Sequence, residues 1–220
     1  LDLWFDRRFG RSCRGRAHMV RYADDFVVCF EHPEDAERLR HALGERLAAF
    51  ELELESDKTR LIAFDPTSRP GGRGKESGGQ TFDFLGFTHY LRQRRRRRCV
   101  ARLPSRKSRL RFLAVVKAWL RKQMHASPWF HQKVLTTKLT GFYRYFGLRY
   151  CKPYLQTVLA LVERTWLRTL RRRSQRGGRL TWEAVKRKPW FQLPQPKLRT
   201  GKEKPKQRQE AKPQQLSLFG

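Results

Sequence analysis

Arg21-Tyr22-Ala23-Asp24-Asp25-Phe26-Val27-Val28-Cys29-Phe30 sets two adjacent carboxylates between an extended segment, His18 to Tyr22, and an almost wholly apolar run, Phe26 to Phe30. The apolar run predicts a buried strand with Cys29 in the core. Two unpaired carboxylates at the mouth of such a strand are costly to desolvate. A divalent cation would remove that cost. Mg²⁺ suits the position because it takes few protein oxygens together with substrate phosphates. Asp-Asp between two strands is also ordinary turn chemistry, since Asp favours turns and tolerates the left-handed region. The ten residues alone leave both readings open.

Working outward, residues 1–9 read as the end of a helix with Leu1, Trp4, Phe5 and Phe9 on its apolar face, and Arg11 to Arg16 as a basic turn. Pro33 predicts a helix start, with Glu34, Asp35 and Glu37 in the positive first turn. Ala36, Leu39, Leu43, Leu47 and Phe50 form its stripe at spacings of three and four. Leu52 and Leu54 alternate with glutamates as a half-buried strand would, and Thr59 to Phe64 is a second strand candidate. Asp65 to Thr81, with two prolines and five glycines, reads as a loop. Phe82 to Tyr90 reads as a strand-like aromatic segment. Arg94 to Arg98 reads as a turn, and Cys99 to Leu103 as the returning arm of a hairpin. This order predicts an α+β arrangement, a helix packed on an antiparallel sheet.

After Pro104 the period becomes helical. Arg106 to His125 carries Leu110, Leu113, Val116 and Leu120; His131 to Phe146 carries Val134, Leu135, Leu139, Phe142 and Phe146. Pro153 opens a third helix with Leu155, Val158, Leu159, Val162, Trp166 and Leu170. Three such helices with short connections predict a bundle, with Phe142 and Phe146 in its core and Tyr143 and Arg144 exposed. From Pro194 the chain is rich in Pro, Gln and Lys and is expected to be disordered.

Charge divides the chain. Residues 1–90 hold 14 basic and 16 acidic side chains, whereas residues 91–220 hold 36 basic and 4 acidic ones, within a formal net charge of +30. A cationic half of that size attracts a polyanion, and nucleic acid is the expected partner. No run of about 18 apolar residues exists, so no membrane span is expected. There is no secretory signal. The four cysteines form no CxxC pair and the six histidines no zinc-finger spacing, which argues for reduced thiols and against a zinc site. The expected compartment is the cytoplasm.

The motifs gain force as an ordered set. Tyr22-Ala23-Asp24-Asp25 in a hydrophobic hairpin, then a helix, then Lys58-Thr59, then Phe84-Leu85-Gly86-Phe87 resembles the palm of a reverse transcriptase. With Gly141-Phe142-Tyr143-Arg144-Tyr145-Phe146-Gly147, the order resembles the bacterial group II intron reverse transcriptase/maturase. In that family a helical thumb and maturase-specific region follows the palm. The resemblance reaches to about residue 198. It implies a partial palm over 1–91, a basic hairpin or linker over 92–105, a helical thumb and maturase region over 106–175, a basic extension over 176–198 and a disordered tail over 199–220.

The resemblance also implies roles. Asp24 and Asp25 match the catalytic pair that binds Mg²⁺. Lys58 matches a palm lysine near the incoming triphosphate; as a bare residue it reads equally as a solvated strand-end lysine. Tyr22 and Ala23 would lie near the primer terminus, where a small Ala23 leaves room. Phe84, Leu85, Gly86 and Phe87 match the primer-grip turn, or are plain aromatic core. Arg94, Arg95, Arg96, Arg97, Arg98, Arg106, Lys107, Arg109, Lys117, Arg121 and Arg144 are expected to meet nucleic-acid phosphates. The implied partners are intron RNA, an RNA template with its DNA primer, and deoxynucleoside triphosphates in the full-length enzyme. The family's third palm aspartate and its fingers would precede Leu1; Asp2 and Asp6 match a different part of the family. The chain is therefore expected to be the later part of a longer protein and inactive as a polymerase by itself. A non-catalytic RNA-binding splicing cofactor, or a decayed remnant, is the other expectation.

Overall fold

β1 (Ala17–Tyr22) and β2 (Asp25–Phe30) pair antiparallel, from Ala17↔Phe30 at the open end to Tyr22↔Asp25 beside the turn. This hairpin belongs to a computed structural model that describes residues 1–54, 59–63, 81–94, 97–174 and 176–199. Cross-strand partners share a face. Ala17, Met19, Val28 and Phe30 therefore lie on one side, and this side packs on Phe5, Phe9 and Leu39. The other side carries Val20, 57 % exposed, Tyr22, 67 % exposed, and Cys29, also exposed. The buried strand expected at Phe26–Phe30 is thus only half-buried, and Cys29 is not core. The physical reason is that a two-stranded ribbon has two faces, and the described residues cover one.

That cover comes from both sides in sequence. α1 (Asp2–Trp4) runs into a π-helical turn, Phe5–Phe9, which sinks Phe5 and Phe9 and leaves Leu1 and Leu3 exposed. α2 (Pro33–Ala48) starts at a proline with Glu34 and Asp35 in its first turn, as its sequence predicts. Asp35 is buried yet satisfied: it accepts from the Arg14 backbone N–H at 2.9 Å and the Arg38 guanidinium at 3.0 Å. The α2 stripe is shorter than its period suggested. Leu39 and Leu43 are buried, but Phe50 is exposed with the Arg46 guanidinium 4.9 Å from its ring centroid. No strand forms at residues 51–54 or 59–63, where Leu52 and Leu61 are exposed. Alternation builds a strand only where a sheet edge offers hydrogen bonds, and among the described residues none is offered there. Phe64 and all of the expected Asp65–Thr81 loop but Thr81 lie outside the described residues.

The aromatic segment at Phe82–Tyr90 is two strands, not one. β3 (Phe82–Phe84) turns at Leu85-Gly86 into β4 (Phe87–Arg94), which pairs in turn with β5 (Arg97–Pro104), giving the order β3-β4-β5. Phe87, Ala101 and Leu103 are buried, while Val100 and Arg102 face out, the period-2 pattern of a one-sided sheet. β3 lies beside β2 without joining its ladder.

The helices start where short polar side chains cap them. Ser105 accepts from Ser108 N–H to open α3 (Arg106–Lys122), and Ser127 accepts from Phe130 N–H to open α4 (Pro128–Phe146). α5 (Lys152–Arg171) follows, then α6 (Trp182–Lys186), capped by Thr181. Their core gathers Val116, Leu120, Leu135, Leu139, Phe142, Leu155, Val162 and Trp166. Three expectations change here. Leu110 is 55 % exposed, because it lies about 100° around α3 from the middle of the Val116–Leu120 stripe, between the exposed Lys117 and Arg121. Tyr143 is buried, and Tyr145 is the exposed aromatic instead. The stretch from Pro194 is packed rather than disordered as far as Arg199: Leu193 is buried, Leu198 leans on the core, and Arg199 N–H donates to the Gly147 carbonyl at 2.6 Å. Residues 200–220 lie outside the described residues.

Candidate metal and nucleic-acid site

The hairpin turn consists of Ala23 and Asp24, with Asp25 opening β2. Ala23 has φ 55°, a left-handed conformation that the tight two-residue connection requires. Tyr22 and Asp25 are cross-strand partners and so share the uncovered face. Tyr22, Ala23, Asp24 and Asp25 are all exposed. Among the described residues neither carboxylate has a hydrogen bond or an ion pair. The carboxylates thus sit in water, and the desolvation argument does not apply to them as the chain stands.

Arg21 does not neutralise the pair. Its Nε and Nη2 donate to the two Asp2 oxygens at 2.7 and 2.6 Å, and its Nη1 donates to the Ala23 carbonyl at 2.9 Å. The hydrogen bonds from Arg21 hold the Asp2 carboxyl below its usual range. One guanidinium thereby ties α1 to the turn and, among the described residues, leaves the Asp pair without a cation of its own. The helical pattern gave Asp2 no role, and no sequence signal links it to a turn some twenty residues away.

Two adjacent, open carboxylates fit Mg²⁺, which keeps several waters and binds through one or two carboxylates plus phosphates. They fit as a part of a site. No group of three His, Cys, Asp or Glu residues able to hold a metal occurs among the described residues. Lys58 lies outside them.

The second turn is gripped by the bundle. Leu85 and Gly86 have φ 49° and 76°, the double left-handed pattern of a two-residue hairpin. The Gly86 carbonyl accepts from Ser105 N–H at 2.9 Å and Ser108 Oγ at 3.0 Å; the Leu85 carbonyl accepts from the Tyr145 hydroxyl at 2.8 Å. Phe87 stacks on Tyr145 at 5.4 Å and meets Phe146 at 4.9 Å. So the turn is fixed by the start of α3 and the end of α4, and Phe87 is core. Tyr145 was hidden within an aromatic run that reads as core. A Cβ at Gly86 would stand 2.9 Å from Ser108 Oγ. Gly86→Ala is expected to destabilise the fold by about 2–3 kcal/mol, from the left-handed penalty and one displaced hydrogen bond. A urea midpoint equal to the parent's would overturn that.

The cations fall into surfaces. At ~100° per residue, Arg106, Lys107, Arg111, Lys117, Arg121 and Lys122 of α3 lie within about 160° of arc, and all six are exposed. Arg164, Arg168 and Arg171 form an exposed ridge on α5, and Arg144 is exposed on α4. Arg109 differs: its guanidinium sits 5.2 Å from the Tyr154 ring centroid and its Nε is buried. Arg94, Arg97 and Arg98 have their backbones in the β4–β5 ladder, and Arg95 and Arg96 lie outside the described residues.

A comparison with curated proteins found no match. Residues 5–89 match the family model described as reverse transcriptase (RNA-dependent DNA polymerase). The matched segment runs from the buried Phe5 under the first hairpin to His89 in β4, so the part of the chain that carries both turns is similar to a reverse transcriptase.

Proposed function

We propose that the chain is part of an RNA-directed DNA polymerase of the bacterial group II intron reverse transcriptase/maturase type, working in the cytoplasm. The family match over residues 5–89, which includes the exposed Asp24–Asp25 turn, carries this reading. Asp24 and Asp25 would hold Mg²⁺, whose chemistry is to stabilise the attacking 3′-oxygen and the leaving phosphate. Tyr22 would face the primer end beside them, and Ala23 would leave it space. Phe84 to Phe87 would present a rigid turn to the primer backbone. Lys58 would offer a cation to the triphosphate. The basic faces of α3 and α5 would bind intron RNA or template–primer backbone and so assist splicing.

A second reading, a splicing cofactor that binds RNA without catalysis, is favoured by the lack of a third metal ligand among the described residues. Asn at both Asp24 and Asp25 in the complete protein separates them. Lost cDNA synthesis with retained splicing is expected. Unchanged synthesis would remove the metal site. The 220-residue chain alone is expected to give no primer extension on poly(rA)/oligo(dT), and measurable extension would show that it holds a complete site.

A further inference from the structure

The Arg21 guanidinium serves two partners at once. Its Nε and Nη2 donate side by side to the Asp2 carboxylate at 2.7 and 2.6 Å, and its Nη1 donates to the Ala23 carbonyl at 2.9 Å. A planar guanidinium can do this because its fork takes a carboxylate on one edge and keeps a donor aimed elsewhere; an ammonium is a point charge. The side chains are 39 % exposed for Arg21 and 49 % for Asp2. As a surface ion pair they add little stability. The bond that matters is the one to the backbone.

That backbone needs holding. Ala23 has φ 55°, in a two-residue turn of the kind that favours Gly or Asn at such angles, and a Cβ is strained there. Asp24 and Asp25 follow directly, so a rotation at the Ala23 peptide re-aims both carboxylates. β1 also keeps the guanidinium on the far side of the ribbon from Asp25. Side chains alternate along a strand. Arg21 therefore shares the face of Met19, which packs on the Phe5–Phe9 cluster, while Tyr22 and its partner Asp25 share the other.

We propose that Arg21, anchored by Asp2, is a positioning residue for the metal turn: it holds the Ala23 peptide so that Asp24 and Asp25 meet one cation together. This role rests on those two carboxylates binding metal, as read above. It fixes the sign of an effect. By Coulomb's law alone, a guanidinium bonded beside the Asp pair repels a metal ion, so its removal should tighten metal binding. A positioning role requires the reverse.

The test titrates Mn²⁺, as a paramagnetic stand-in for Mg²⁺, into the full chain and follows the broadening of backbone amide signals from Tyr22 to Phe26. The Asp24→Asn/Asp25→Asn variant should abolish that broadening. Arg21→Gln should weaken Mn²⁺ binding by about tenfold, the usual loss when a group that orients a ligand is removed. Arg21→Lys keeps the charge but cannot present the same fork, and should weaken binding too. Tighter binding in Arg21→Gln, or parent-like binding in Arg21→Lys, would overturn the proposal, and the metal reading would stand if the Asn pair still abolishes the broadening. Broadening that is absent from the parent, or that survives the Asn pair, would remove the metal reading and this role with it. The cross-strand amide signals of Ala17 to Phe30 report whether the hairpin is intact; if Arg21→Gln melts it, Arg21→Lys decides.

Discussion

Replacing Trp166 with Ala should destabilise the helical bundle by about 3–5 kcal/mol, the usual cost of emptying a buried aromatic site. Trp166 is 0 % exposed and stacks on Phe191 with ring centroids 4.5 Å apart. Its indole N–H donates to His131 Nδ1 at 3.0 Å, while His131 Nε2–H donates to the Gln123 carbonyl at 2.8 Å. That pair of bonds selects one neutral tautomer. Truncation therefore leaves a cavity and a buried ring nitrogen without its donor. Against a whole-domain stability of about 5–15 kcal/mol, the variant should unfold at a much lower urea concentration. Trp166→Phe, which keeps most of the volume, should lose less. Acid should act on the same pair. Burial holds His131 below its ordinary value. As pH falls through about 6.5, the unfolded chain takes up a proton there that the folded chain refuses. The unfolded state then binds more protons, so stability declines on the acid side and is regained above it. A parent urea midpoint that stays level from neutral pH down through the histidine range would contradict the neutral His131 assignment. A Trp166→Ala midpoint close to the parent's would contradict the packing account.

What the sequence made legible follows from how local each signal is. The first hairpin, α2 and the three long helices rest on period and on prolines: Pro33 and Pro153 mark starts to within a residue, whereas α4 opens at Pro128, three residues before the His131 that the period suggested. The second hairpin was half legible. Gly86 marked a tight backbone, but a two-residue turn within nine aromatic-rich residues has too short a period to separate from one strand. Burial was less legible, because it depends on what lies opposite. Phe26–Phe30 is apolar enough for a core strand and is half-covered. Tyr143 and Tyr145 are two residues apart in one motif, yet Tyr143 is buried in the bundle core while the exposed Tyr145 bonds the β3–β4 turn, a difference set by neighbours distant in sequence. The candidate site divides in the same way. The Asp24–Asp25 pair is contiguous, so it could be read directly. Its support from Asp2 through Arg21, and the clamp of Tyr145 and Ser108 on Leu85-Gly86, join residues 19 to 60 apart. No local pattern encodes such contacts.

The α3 cations should make RNA binding strongly salt-dependent. If the six exposed side chains Arg106, Lys107, Arg111, Lys117, Arg121 and Lys122 each neutralise a phosphate, affinity should fall about 1000-fold between about 50 and 200 mM salt. Core-facing positions of the same helix hold Val116 and Leu120. Gln at the six exposed positions should therefore remove charge without opening the bundle. That variant should bind more weakly at low salt and with a shallower slope, by about 0.7–0.9 for each lost contact. Arg109→Gln should behave differently. Its guanidinium rests on Tyr154, so the change should lower stability through lost packing and leave the slope as it was. Filter binding over a salt series, read beside urea midpoints for the same proteins, separates the two. A six-Gln variant with the parent's slope would move the RNA contact off α3, and the Arg164–Arg168–Arg171 ridge of α5 would be the surface to replace next.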